Sequence, residues 1–322
     1  MERSVQRLCI ENAEKIEHTI KNPRPGGADT RIMIIRYRGQ PMCMIQDSKH
    51  ALKTFRNNLF SGARLLTLGN FTAMYNRIRE IAMEDGTPLY KCDVEKLDRQ
   101  DDNAAARLFS SHVLKYLADN HPEYIGEIVY LFIFGELVDV YQSRSIPHYE
   151  RVKLVLRARY FLDAWETFLD ISNYKRSQYF LSREAVDIAR IIIEGYIALL
   201  VIHRDHVSGI FPLLPWLHST EACEHAFGEA RRIVKDFTLL DLIYMIPKLR
   251  LKMREAVLNA RGSDPKARAA GYNHTYFDNT GVNVPILSSY PTDEDIQVIA
   301  DQAAEEADSL IALLGLNPSQ LC

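Results

Sequence analysis

The chain predicts a mainly α-helical protein carrying one small, incomplete sheet. Three observations predict it. Apolar residues recur at helical spacing from Ser48 almost to the C-terminus. Only two short runs, residues 31–37 and 42–46, read as strands, each bounded by turn residues. Residues 125–141 are apolar nearly all round, so this helix is expected at the centre of a bundle.

The elements follow in order. Val5, Leu8, Ala13, Ile16 and Ile20 sit at helical spacing and predict an N-terminal helix over residues 5–20, which Pro23, Pro25, Gly26 and Gly27 close. The strand over 31–37 turns at residues 38–41 into the second strand, 42–46. A basic helix opens after Asp47. Phe71, Met74, Tyr75, Ile78 and Ile81 form a helical stripe with Asn70 as its N-cap, and Ala105, Leu108, Phe109, Val113, Tyr116 and Leu117 form another. Helices are expected over 152–165 and 182–203. Thr220 is placed to cap the next one, and Thr238 with Asp241 makes a capping-box pattern. Pro247 is expected to kink or end that helix. Residues 262–265 read as a linker and 271–291 as irregular. Thr292 with Asp295 opens a last helix that stops near Gly315 and Pro318.

Composition narrows the class. With 322 residues, 47% hydrophobic and 25% charged, the chain is an ordinary globular sequence, long enough for one large core or two smaller ones. A net charge of -3 argues against a protein coated in nucleic acid, though a local basic groove remains compatible with it. Five scattered cysteines, none in a Cys-x-x-Cys pair, point to a reducing compartment and to no zinc finger. The N-terminus has no apolar signal core. The most apolar run, 191–202, is shorter than the ~20 residues of a membrane span and contains Glu194, so it reads as a core helix and no membrane partner is expected.

Two segments carry the functional signal. Asp47 ends an apolar run and precedes Ser48-Lys49-His50-Ala51-Leu52-Lys53-Thr54-Phe55-Arg56-Asn57-Asn58-Leu59. A strand-end carboxylate is suited to hold a divalent cation, and Lys49, Lys53 and Arg56 share one helical face that could meet a phosphate backbone. The same residues also fit an ordinary amphipathic helix capped by Asp47. Glu221 and Glu224 lie in a first helical turn, where acids favour the helix dipole whether or not they bind metal. His218, Cys223 and His225 fit no closed zinc spacing. Arg144, Arg151, Lys153, Arg157 and Arg159 could form a phosphate track or simply face water. Phosphodiester chemistry needs several carboxylates around a metal pair ~3.5–4 Å apart, and Asp47 with Glu224 could supply two of them.

The stretch Asp47, His50, Lys53, Arg56-Asn57, Leu59 resembles the D-x-x-H-x-x-K-x-x-R-N-x-L signature of P-element-type transposases, including those with THAP domains. Glu221 to Arg231 resembles that family's D-x-L-E-x-x-F-G-x-x-R segment, departing at Glu221 and Cys223. The resemblance implies a ribonuclease-H-like fold interrupted by a helical insertion. It implies Asp47 and Glu224 as catalytic carboxylates and ligands of Mg2+ or Mn2+. It implies DNA as partner, with Lys49, His50, Lys53, Arg56, Asn57 and Arg231 as contact candidates, and a nuclear or cytoplasmic location. The family's first catalytic Asp lies on an earlier strand, and Asp29, in a Gly-rich turn, is no substitute. The zinc-dependent DNA-binding domain has no counterpart either. The chain therefore resembles the C-terminal two-thirds of a transposase, as a fragment, a decayed copy or a host protein derived from one. It is expected to be inactive alone.

The domain reading is a partial ribonuclease-H-like core over 1–68, a helical insertion over 69–215, a return to the core over 216–262, and a linker with the C-terminal helix over 263–322. An incomplete sheet leaves an edge for a second copy or a full-length transposase to pair with, and predicts poor solubility. The alternative is a helical interaction scaffold without chemistry. If the metal reading holds, the Asp47 and Glu224 oxygens come within about 4–7 Å of one another.

Overall fold

A computed structural model describes residues 14–95, 98–207, 211–259 and 282–321. The fold is mainly helical, with two small sheets. The chain divides into two units: residues 1–215 with 284–322, and residues 216–283.

In the first unit, β1 (Glu14–Ile20), β2 (Thr30–Tyr37) and β3 (Gln40–Met42) form an antiparallel meander. Its register runs from Glu14 opposite Arg36 to Ile20 opposite Thr30, and from Ile35 opposite Met42 to Tyr37 opposite Gln40. The β2–β3 turn is only Arg38-Gly39, both at positive φ (52° and 78°), the hand that matches the twist of a tight hairpin. Along β2, Thr30, Ile32 and Ile34 are buried while Arg31 and Met33 are exposed, the period-two pattern of a one-faced strand.

The expected N-terminal helix is therefore corrected over its described part. Ile16, His18 and Ile20 fit a period of two as well as one of four, and pairing along all of β1 decides for the strand. The second strand also moves: it covers Gln40–Met42, and residues 43–47 are extended without ladder partners.

Helix α1 (Ser48–Phe60) follows, then a hairpin of β4 (Leu66–Leu68) and β5 (Phe71–Ala73). This hairpin replaces the first turn of the helix expected after Asn70. Gly69 takes φ 59° at the turn, and the Asn70 amide donates to the Leu314 carbonyl instead of capping a helix. Helix α2 starts only at Tyr75 (Tyr75–Ile81). Next come α3 (Lys91–Glu95), α4 (Asp102–Leu108) and α5 (Ser111–Asn120). The last two split the single stripe expected over 105–117, because the Ser110 hydroxyl caps a fresh start at α5.

Helix α6 (Ile125–Gln142) is central, as its all-round apolarity predicts; Tyr130, Leu131, Phe134 and Leu137 are fully enclosed. Around it lie α7 (His148–Ile171), the single turn α8 (Arg176–Tyr179) and α9 (Arg183–His206), whose N-cap is Ser182. The chain re-enters this unit through α12 (Val284–Leu287) and α13 (Asp293–Leu313), which lies along α7. The capping box expected at Thr292 and Asp295 is present, and α13 ends before Gly315 at φ 76°. One hydrophobic cluster runs from Ile20 through α1, α6, α7 and α9 to Leu321.

The second unit contains α10 (Glu221–Ile233) and α11 (Leu239–Asn259), packed on each other. The Thr238–Asp241 cap is formed, with the Thr238 amide donating to Asp241 at 2.9 Å. Pro247 does not end α11, which continues through it. The expected linker at 262–265 lies outside the described residues, as does most of 271–291.

Candidate functional site

The Asp47 junction is built by backbone approach. Residues 43–46 run directly over α9 at Gly195, where an added Cβ would stand 2.4 Å from the Met44 carbonyl oxygen. A side chain there would push the segment off the helix. Asp47 then caps α1: its Oδ1 accepts the Lys49 amide at 2.9 Å and the His50 amide at 3.2 Å. Beyond the cap, the Gln142 amide donates to the Ser48 hydroxyl at 2.7 Å and ties the end of α6 to the start of α1. A cleft of about 450 Å³ opens beside this junction, lined among others by Lys49, Asp102, Ser110, Asp139 and Gln142. Burial raises the Asp139 carboxyl above the usual range, and Arg151 pulls it partly back.

The basic face of α1 does not stand open to solvent. It meets the acidic segment 98–102. Lys53 pairs with Asp102 at 2.9 Å, and the Asn57 amide donates to the Arg99 carbonyl at 3.3 Å. Arg56 is 1% exposed, donates to the Asp101 carbonyl at 3.1 Å and lies over the Phe60 ring. Its burial lowers its affinity for the proton, while Asp101, Asp93 and Asp98 hold the charge in place. Asp93 is itself clamped by Arg107 through Nε at 2.9 Å and Nη2 at 2.5 Å. Three of the six expected DNA contacts, Lys53, Arg56 and Asn57, are thus engaged in holding a loop. Of the others, Lys49 lines the cleft, while His50 and Arg231 are exposed.

On the opposite face of α1, Phe55 meets Phe134 with ring centroids 4.4 Å apart, and the Tyr130 hydroxyl donates to the Phe55 carbonyl at 2.8 Å. The Asn58 side-chain oxygen accepts the Ser182 amide at 2.8 Å, joining α1 to the N-cap of α9. The signature from Lys53 to Leu59 therefore works locally as a packing and clamping unit.

The possible phosphate track on α7 is corrected for its inner members. Arg151 is fully enclosed and donates to the carbonyls of Val140, Ser143 (2.7 Å) and Ile146 (2.8 Å). Arg157 binds Glu136 and Glu306, Lys153 binds Glu150 and Glu306, and Arg159 binds Asp163 and Glu194. Carboxylates from α6, α9 and α13 neutralise these cations, so they serve helix packing.

Glu224 is exposed in the first turn of α10 and accepts the Thr220 hydroxyl at 3.2 Å. Thr220 occupies the N-cap position without a side-chain bond to the helix amides. Cys223 is exposed, and Arg232 pairs with Glu229 at 2.5 Å. Asp47 belongs to the first unit and Glu224 to the second.

Magnesium is held by oxygens in near-octahedral geometry, usually with one or two protein carboxylates and several waters. Among the described residues no three His, Cys, Asp or Glu side chains gather as a ligand set. Asp47, already accepting two amides, does not by itself fit a two-metal centre. No helix among the described residues is long and apolar enough to cross a membrane. Comparison with protein families, with curated proteins and with solved structures found no match.

Gly195, Gln142 and Asp139 are the junction residues that sequence reasoning missed. Gly195 carried a faint signal as a glycine inside the most apolar run, and Asp139 as one of few carboxylates in the apolar helix 125–141.

Proposed function

We propose that the chain is a transposase-derived protein that does not itself cut or join DNA. One observation carries the reading: the residues that resemble the family signature, Asp47, His50, Lys53, Arg56, Asn57 and Leu59, fall on a single helix, α1, with Asp47 at its N-cap. The ribonuclease-H-like core, the pairing of Asp47 with Glu224 around Mg2+ or Mn2+, the DNA partner and a nuclear location belong to this proposal through the sequence resemblance. No three metal-ligating side chains gather among the described residues, so no catalytic step is assigned to Asp47 or Glu224.

A non-catalytic helical scaffold is the second reading. The engagement of Lys53, Arg56 and Asn57 in holding residues 98–102 favours it, because those side chains already have a fold role. Manganese titration separates the two. Asn is as good an N-cap as Asp, so Asp47→Asn removes charge while leaving α1 capped. The transposase-derived reading expects weak manganese binding by calorimetry that both Asp47→Asn and Glu224→Gln abolish. An unchanged titration in either variant would remove the metal site and leave the scaffold. Joined products in a magnesium-dependent strand-transfer assay would overturn the claim of inactivity.

A further inference from the structure

The cleft beside the Asp47 junction lies between α1, α4 and α6 and holds a carboxylate without a counter-ion. On α6, Gly135, Val138, Asp139 and Gln142 line it at i, i+3, i+4 and i+7, so one helical face forms a continuous wall about 10 Å long at the helical rise. Leu52 of α1, Phe109 and Val138 supply apolar lining and are otherwise buried in the core. Gly135 fixes one end of the wall: an added Cβ would stand 3.0 Å from the Phe109 carbonyl oxygen. The volume, about 450 Å³, falls in the range of small-molecule sites.

Charge says what the cleft takes. Helix α6 carries the carboxylates Glu127, Glu136 and Asp139. Glu127 pairs with Arg77 and Glu136 with Arg157, while the Asp139 carboxylate has no ion pair or hydrogen bond among the described residues. Asp102, the cleft's other carboxylate, is taken by Lys53 at 2.9 Å. Arg151, the cation that lowers the Asp139 carboxyl, is fully enclosed and donates to three carbonyls. Lys49 lines the cleft too but is not among the charges acting on that carboxyl. Asp139 is open on its outer side, yet the protein around it raises its carboxyl above the usual range. A carboxylate at the edge of an apolar cavity, short of water and of a partner, gains from a cation and loses from an anion.

We propose that this cleft binds a small amphipathic cation: a protonated amine that pairs with Asp139, carried on an aromatic or branched aliphatic body that lies against Leu52, Phe109 and Val138. An ammonium donates hydrogen bonds and accepts none, so it suits a carboxylate that already lacks donors. It makes no demand on Gln142, whose amide is engaged by the Ser48 hydroxyl. The apolar body supplies affinity, and the ion pair at the wall selects the charge of the guest. The inference is independent of the transposase reading.

The test titrates the full chain by calorimetry at pH 7 with phenethylamine, and with phenethyl alcohol and hydrocinnamate as its neutral and anionic counterparts. Saturable binding is expected for the amine, about tenfold or more tighter than for the alcohol, with none measurable for the acid. Asp139→Asn, at an exposed position, is expected to leave the circular dichroism unchanged and to bring the amine down to the level of the alcohol. Ala106→Trp, at an exposed lining position on α4, is expected to fill the cleft and abolish binding of both. No saturation by the amine would overturn the proposal. So would equal binding of amine and acid, or an amine affinity indifferent to Asp139→Asn or to Ala106→Trp.

Discussion

The two units use their charged and apolar residues in opposite ways. In the first, cations are drawn inward. Arg151 and Arg56 are enclosed, Arg157 joins Glu136 of α6 to Glu306 of α13, and Lys53 holds the loop before α4. In the second, Trp216, Ala230 and Met245 are the buried apolar side chains among those described, while Leu239, Leu240, Ile243, Tyr244 and Leu251 face outward. A large core lets the first unit enclose charge if every charge finds a partner. The described part of the second unit has little interior to offer, and its surface carries the exposed apolar groups. Basic residues alike in sequence therefore mean different things: fold in one unit, surface in the other.

The contrast breaks most readily at Arg151. Its guanidinium satisfies three carbonyls at the end of α6 and in the loop beyond it. Arg151→Met removes the donor from all three, of which the Val140 carbonyl is the buried one, and a loss of about 2–3 kcal/mol in urea unfolding is expected, from 1–3 kcal/mol per orphaned buried group. A loss below about 1 kcal/mol would mean that water replaces the guanidinium at these carbonyls and that Arg151 is not needed to hold them.

A pH titration sharpens the same comparison. His148 is fully enclosed. The Leu287 carbonyl can only accept, so Nε2 carries the proton and donates at 3.0 Å, while Nδ1 accepts the Tyr196 hydroxyl at 2.9 Å. Burial, with Arg151 and His203 nearby, lowers this imidazole from 6.5 to about 4, against a smaller raising effect of the Leu287 bond. Between those values the unfolded chain holds the proton and the folded chain does not. Stability contributed by His148 is thus full above pH 6.5 and falls as pH drops toward 4, by about 3 kcal/mol in all. Urea midpoints should fall across this window in the parent, and His148→Gln should flatten the slope. An identical slope in the variant would place the titration elsewhere.

Much of the helical frame was legible in the sequence, because α6, α7, α9 and α13 each carry a long periodic pattern with a cap or an all-round apolar run. The missed elements are short and set by partners. Residues 14–20 satisfy both a helical and an alternating pattern, and only β2 decides between them. Residues 71–73 extend a helical stripe by composition but pair with β4 across Gly69. At the candidate site, the cap at Asp47 and the basic spacing of α1 were readable. What that basic face meets was not, since Asp98, Asp101 and Asp102 lie more than forty positions downstream. A charge pattern reports which residues share a face and carries no information about what packs over that face.

Arg56 and Arg231 differ in kind: Arg56 braces the fold, and Arg231 stands on the surface of α10. Urea unfolding of Arg56→Met and Arg231→Met, side by side at pH 7, tests it most directly. Removing the Arg56 guanidinium leaves the Asp101 carbonyl without its donor at a buried site and is expected to cost about 2–3 kcal/mol. Removing Arg231 should change stability by less than about 0.5 kcal/mol. Equal losses, or a near-neutral Arg56→Met, would contradict the account.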